Sequence, residues 1–221
     1  MAGHIDGKRV VLSIIEAIER HKAWLSEIDG AVGDGDHGVN MAKGMGMVRE
    51  KLAAASAGPA GGGPAAGGSL GELLRLTGMT LLSNIGGAMG PIYGTFFMRM
   101  GKAVEGKDSV SGQDLQAMLA SALEGVTQRG GARVGDKTLV DTLEPAAKGC
   151  EEALRAGAGF AEAVDRMIES ARAGMESTKD LVAKVGRSSR LGERSRGTID
   201  AGAASCYLIL KALGESLKKQ L

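Results

Sequence analysis

The feature that most constrains this chain is a helical repeat of apolar residues on both sides of its glycine-rich turns. Val11, Ile14, Ile15, Ile18 and Leu25 share one face of a first helix, and Met41, Met45, Val48 and Leu52 recur at steps of four, three and four. Leu115, Met118, Leu119, Ala122, Leu123 and Val126 form another stripe, opened by Ser111 and Asp114 at the spacing of an N-terminal capping box. Phe160, Val164, Met167, Ile168, Ala171 and Met175 form the next, and Cys206, Leu210, Leu213 and Leu217 the last. Helices are also expected near 70–83, 90–103 and 137–156. No stretch alternates with period two, so the expectation is an all-α fold of eight helices without a sheet. The Gly/Ala/Pro-rich run at 53–68 reads as a flexible surface loop within one domain spanning 1–221. Only two helices precede it, too few for a core of their own.

Composition sharpens this picture. Glycine occurs 36 times, about twice its usual share, while aromatics make up 3%. The core must close with aliphatic and methionine side chains, and small residues let helices approach closely. Glycine clusters between helical runs suggest loops where backbone comes near a ligand. Basic and acidic residues balance at 27 and 26, which gives no support to nucleic-acid binding driven by bulk charge. Two cysteines, Cys150 and Cys206, exclude a disulfide scaffold and suit a reducing compartment. Both sit in helical patterns and read as core. The N-terminus lacks the charged-then-apolar profile of a signal peptide. The most apolar region, Met79 to Met100, is broken by Asn84, by glycines and by Pro91, so no membrane span is expected. A cytoplasmic protein is the expectation.

The most informative segment is LSEIDGAVGDGDHGVNMAKG at 25–44. Asp29, Asp34 and Asp36 lie within eight residues, among glycines that leave the backbone free to fold them inward. Clustered carboxylates repel unless a cation sits between them, and a hard cation such as Mg²⁺ takes oxygen ligands. A helix beginning near His37 would turn its free N–H groups and positive dipole end toward an anion. The alternative is an exposed turn with helix caps. Gly33, Gly35 and Gly38 fit G-x-G-x-x-G, but a helix rather than a strand precedes them. An EF-hand fails because Met45 stands where its twelfth-position Glu is required. His37 reads as a nucleotide contact rather than a nucleophile; His4 and His21 read as incidental.

Three further glycine-bearing segments stand out. LSNIGGAMGPIYGT at 82–95 fits either a backbone approaching nucleotide, with Ala88 and Met89 in contact, or tight helix packing. GGARVGDKT at 130–138 is disqualified as a phosphate-binding loop by Asp136 between Gly135 and Lys137. There Asp136 or Thr138 is expected to cap the next helix, with Gly130 lining a ligand and Leu139 supplying an apolar wall. GRSSRLGERSRG at 186–197 reads as an uncapped loop whose arginines can fork onto phosphate oxygens. It leads into Thr198-Ile199-Asp200-Ala201-Gly202, which opens a helix and offers a second anion- or ribose-facing terminus.

These segments together resemble the ADP-binding L subunit of bacterial dihydroxyacetone kinase and the nucleotide domain of single-chain dihydroxyacetone kinases. The resemblance runs through VGDGDHGVNM at 32–41, TGMTLLSNIGGAMGPIYGTFF at 77–97, GDKTLVD at 135–141 and GRSSRLGERSRGTIDAGA at 186–203. It implies an eight-helix antiparallel barrel with nucleotide, ADP or ATP, at one end. Asp29, Asp34 and Asp36 would hold two Mg²⁺ ions. His37, Gly38, Val39 and Asn40 would contact phosphates, and Ala88, Met89, Gly130 and Leu139 would line the nucleotide pocket. Arg187 would meet the phosphates as the catalytic arginine, and Asp200, Ala201 and Gly202 would reach the nucleoside. The family usually has Asp-Pro-Gly at that last position, where this chain has Asp200-Ala201-Gly202. The resemblance further implies a separate K subunit that holds dihydroxyacetone or a related short ketose such as erythrulose. Bound ADP would be rephosphorylated by a phosphohistidine carrier (an M subunit) or exchanged for ATP. The competing reading is a non-catalytic ADP/Mg sensor that binds a transcriptional regulator.

Overall fold

The computed structural model describes residues 4–57 and 68–221. Among them are nine α-helices, two 3₁₀ segments and no strand. The α-helices are α1 (Gly7–Arg20), α2 (Lys22–Gly30), α3 (His37–Ala57), α4 (Leu70–Asn84), α5 (Met89–Ala103), α6 (Gly112–Gly130), α7 (Val140–Arg155), α8 (Phe160–Ser177) and α9 (Ala201–Lys218).

The ninth helix corrects the count drawn from the sequence. One apolar stripe runs from Val11 to Leu25, but the backbone breaks at His21, whose φ of −101° and ψ of 11° leave the α-region. The His21 ring sits 2.8 Å from the Ala17 carbonyl through Nδ1. Leu25 is buried with the α1 stripe although it belongs to α2. A second correction concerns 53–68: α3 continues to Ala57, as alanine's high helix propensity favours, and residues 58–67 of the expected loop lie outside the described residues.

Local signals explain most helix starts. The Asp6 carboxylate accepts the Arg9 N–H at 3.1 Å, and Ser69–Glu72 and Ser111–Asp114 form reciprocal capping boxes on α4 and α6. α6 ends on Gly131 in the left-handed conformation, φ 69°. The apolar stripes read from the sequence are buried, including Met41, Met45, Val48, Leu52, Cys206, Leu210, Leu213 and Leu217.

Glycine sets the distance between α4 and α5. A Cβ on Gly78 would lie 2.6 Å from the Gly94 carbonyl oxygen, and one on Gly101 would lie 2.5 Å from that of Gly71. The two backbones are therefore in direct contact, which explains how a core so poor in aromatics closes. From α4 to α9 each helix packs on the next, and α1 packs on both α9 and α4, with α3 also against α1 and α4. No described helix is long and apolar enough to cross a membrane. The turns before α3, α5 and α7 and the segment before α9 come together at one end.

Candidate functional site

Those four connections enclose a cavity of about 600 Å³. Asp29, Asp34, Asp36, His37 and Asn40 line it from the first turn and α3, and Ala88 and Met89 from the start of α5. Gly130 and Leu139 line it from the turn before α7, and Arg187, Asp200, Ala201 and Gly202 from the segment before and into α9. Gly38 and Val39, also expected there, do not line it. Gly38 faces α2, where a Cβ would fall 2.1 Å from the Lys22 carbonyl oxygen, and the Val39 side chain points outward, 46% exposed. Helix periodicity explains this: of four consecutive residues at a helix start, only those one turn apart share a face.

The acidic turn converges. One carboxylate oxygen from each of Asp29, Asp34 and Asp36 lies within 4.8 Å of the others. Asp29, in the last turn of α2, is half-buried and accepts the His37 backbone N–H at 3.2 Å, which ties it to the start of α3. Asp34 is exposed, and the Asp36 side chain is about half exposed. Three anionic oxygens this close are mutually repulsive without a cation. Their chemistry, oxygen donors only, fits a hard divalent cation that completes its shell with phosphate and water. Arg187 reaches the same group: its guanidinium pairs with Asp34 and lies 4.0 Å from Asp36. The guanidinium and the carboxylates thus face one volume.

Arg187 opens a 3₁₀ stretch, Arg187–Ser195, that is kinked at Gly192 (φ 53°, ψ −129°), so the stretch expected as an uncapped loop is wound on both sides of that kink. Ser195 is buried; its hydroxyl donates to the Gly192 carbonyl at 2.6 Å and accepts the Ala183 N–H at 2.9 Å.

His37 is held by groups the sequence did not single out. Its Nε2 lies 2.8 Å from Ser205 Oγ, which lies 2.5 Å from the Tyr93 hydroxyl. Tyr93 in turn donates to the Gly202 carbonyl at 3.0 Å. Burial holds the His37 ring at a pKa of about 4, against the opposing charge of Asp29, so the ring is neutral near pH 7. With one nitrogen committed to Ser205, it suits contact rather than nucleophilic attack.

The glycine segment of 82–95 combines the two roles that the sequence left open. Gly86 and Gly87 line the cavity with nothing within 4 Å of an added Cβ, whereas Gly90 packs against the Ile85 carbonyl. The turn before α7 departs from expectation. The Asp136 carboxylate accepts the Arg133 N–H at 3.0 Å and does not cap α7. Thr138 Oγ1 accepts the Val140 N–H at 3.2 Å, but the main anchor is buried Asp141, which accepts the N–H groups of Gly135 at 2.6 Å and Thr138 at 2.7 Å. Lys137, given no role of its own in the sequence, lines the cavity wall and is 1% exposed. Asp200 caps α9 through the Ala203 N–H at 2.8 Å. Burial raises its pKa to about 6, opposed by that N–H and by Lys137. Cys150 and Cys206 are buried free thiols, as expected, and burial pushes both pKa values up, Cys150 to about 11.

The pattern of the DAK2 domain matches residues 31–215, which contain Asp34 and Asp36 of the acidic turn, the rest of the cavity lining and the arginine segment, with Asp29 just before it. The chain belongs to the Dak2 family. It is 36% identical over 198 residues to the ADP-binding subunit DhaL of PEP-dependent dihydroxyacetone kinase 1 from Listeria innocua, an overlap of 90% of this chain and 89% of that one. It is likewise 36% identical over 196 residues to the PEP-dependent dihydroxyacetone kinase ADP-binding subunit DhaL of Escherichia coli, with 89% of each chain covered. Its fold matches the crystal structure of the dihydroxyacetone kinase from C. freundii in complex with AMP-PNP and Mg²⁺. That match has a TM-score of 0.66 at 26% identity and covers 94% of this chain and 33% of the larger one. This Dak2 chain thus corresponds to about a third of that kinase.

Proposed function

We propose that this Dak2 chain is the nucleotide-binding subunit of a two-component kinase that passes the terminal phosphoryl group of Mg-ATP to dihydroxyacetone or a related short ketose. The observation that carries the reading is the meeting of the aspartate triad, Arg187 and the first turns of α3, α5 and α9 around one cavity. The family relationship and the ADP-binding relatives support it.

Asp29, Asp34 and Asp36 hold Mg²⁺, two ions in this reading. Bound Mg²⁺ would supply neutralisation of phosphate charge. The start of α3, with His37 and Asn40, offers N–H donors and a positive dipole end to the phosphates. Ala88, Met89, Gly130 and Leu139 form the apolar wall, and Asp200, Ala201 and Gly202 face the nucleoside. Arg187 spreads charge on the transferring group, where an aimed guanidinium acts chiefly on rate. Gly38 and Val39 are left without a side-chain role at the phosphates. The helix neighbours, closing through α1, support an eight-helix antiparallel barrel formed by one domain, with α2 as an added short helix.

The cavity residues assigned here serve metal, phosphate and nucleoside, and the remaining polar lining, Lys137, Thr138 and Ser188, is given no ketose contact in this reading. A K-type subunit therefore holds the ketose, with its hydroxyl in line with the phosphoryl group. ADP stays bound and is recharged by a phosphohistidine carrier of the M type, or exchanges with ATP. The test is ketose phosphorylation by the purified chain with and without a K-type partner. Turnover is expected only with the partner; robust turnover by the isolated chain overturns the half-enzyme reading.

A further inference from the structure

The arginine-bearing segment between Thr178 and Thr198 has a narrow neck. Gly197 N–H donates to the Lys179 carbonyl at 2.8 Å, and Asp200 N–H donates to Thr178 Oγ1 at 3.0 Å. Across this neck lies a side chain from another part of the fold. The Lys137 ammonium donates to the Thr178 carbonyl at 2.6 Å and to the Thr198 carbonyl at 2.5 Å, one on each strand of the neck. Its predecessor grips the segment higher up. The Asp136 carbonyl accepts the Lys184 N–H at 3.2 Å, and the Asp136 carboxylate lies 3.5 Å from Lys184 Nζ. Lys184 stands three residues before Arg187.

Lys137 breaks two local rules at once. It is a lysine almost fully buried, and its backbone is left-handed, φ 63°, the one described non-glycine residue with positive φ. An apolar side chain of similar length would avoid the cost of burying an ammonium but could not join two carbonyls. Such violations mark positions where a side chain has a task beyond packing.

We propose that Lys137 is a positioning residue, a clasp that closes the neck of the 179–197 loop and so holds Arg187 over the acidic turn. Its effect on catalysis rests on the reading of Arg187 as the phosphate-facing arginine; the clasp itself does not. Lys137 acts through the loop: two of its ammonium's three N–H donors are committed to the neck carbonyls.

The test compares Lys137→Met and Lys137→Arg with wild type. Trypsin provides the probe, because Arg187, Arg190 and Arg194 offer cleavage sites inside the loop. With helix content retained by circular dichroism, the Met variant is expected to be cut within the loop at least about tenfold faster, and the Arg variant to recover much of the protection. With a K-type partner, turnover of the Met variant should fall at least about tenfold while Mg-ADP affinity stays within about threefold. Loop cleavage at the wild-type rate in a folded Met variant overturns the clasp. If that variant does not fold, hydrogen exchange on the wild type decides. Slower exchange at the Gly197 and Asp200 amides than at Arg190 and Arg194 supports the clasp, and equal exchange overturns it. Absence of Mg-ADP binding by the wild type would defeat the proposed function yet leave the proteolysis result to stand on its own.

Discussion

Gly38→Ala tests how tightly the acidic turn depends on the contact between α2 and α3. A Cβ at this position would lie 2.1 Å from the Lys22 carbonyl oxygen and 2.8 Å from the Ser26 nitrogen, both backbone atoms that no rotamer change can move. Ordinary contact begins near 3.4 Å, so the start of α3 must shift from α2 by about 1 Å. That movement stretches the 3.2 Å bond between Asp29 and His37 and separates Asp29 from Asp36. Overpacking of this kind costs about 1–3 kcal/mol, which corresponds to roughly 2–12 °C in Tm for a chain of this size. Disturbing the bond that orients Asp29 is expected to weaken Mg-ADP binding by about ten- to a hundredfold. Gly46→Ala is the control on the same helix. Nothing lies within 4 Å of its Cβ, so it should stabilise by up to about 1 kcal/mol with no effect on binding. Thermal denaturation and calorimetric ADP titration in Mg²⁺ read both variants. Wild-type ADP affinity in Gly38→Ala would refute the reasoning.

Arg187→Ala should lower turnover with a ketose-holding partner by about a hundredfold or more while ADP affinity changes less than about tenfold; equal losses in both would place Arg187 in ground-state binding only. Asp200 carries a pH signature. Its folded pKa of about 6 lies above the ordinary 3.8, so the folded chain holds the extra proton between those values and loses stability as pH rises through about 6. Asp200→Asn, which retains a capping oxygen, should match wild type in urea denaturation near pH 4. It should exceed wild type by up to about 3 kcal/mol above pH 7. A difference that does not change with pH would show that burial does not penalise the Asp200 carboxylate.

The helices and the acidic turn were legible because their signals are local. A stripe such as Met41, Met45, Val48 and Leu52 buries through its own spacing, and Ser111 and Asp114 cap α6 from three residues apart. The break at His21 was not legible, because the apolar stripe passes through it undisturbed into α2. Ala53 to Ala57 shows the opposite error. Low complexity suggested a loop, while alanine's propensity extends the helix. The groups missed at the site act over long sequence distances. Lys137 meets carbonyls at 178 and 198, and His37, Ser205 and Tyr93 meet from α3, α9 and α5. A left-handed lysine leaves no mark in a sequence, since nothing local asks for it. Gly38 and Val39 do not line the cavity for a related reason: a motif names consecutive residues, but a helix turns them to different faces.

The central claim is that the aspartate triad holds the metal through which nucleotide binds. It is tested most directly by calorimetric titration of ADP, with Mg²⁺ and with chelator, into wild type, Asp34→Ala and Asp36→Ala. Both side chains are about half exposed and engage Arg187 on the surface, so the variants should fold normally. Wild type is expected to bind ADP in Mg²⁺ and to lose at least about a hundredfold in affinity in chelator, with both variants weak under either condition. ADP binding of equal strength in all three proteins, with and without metal, would contradict the account and leave the triad a structural turn.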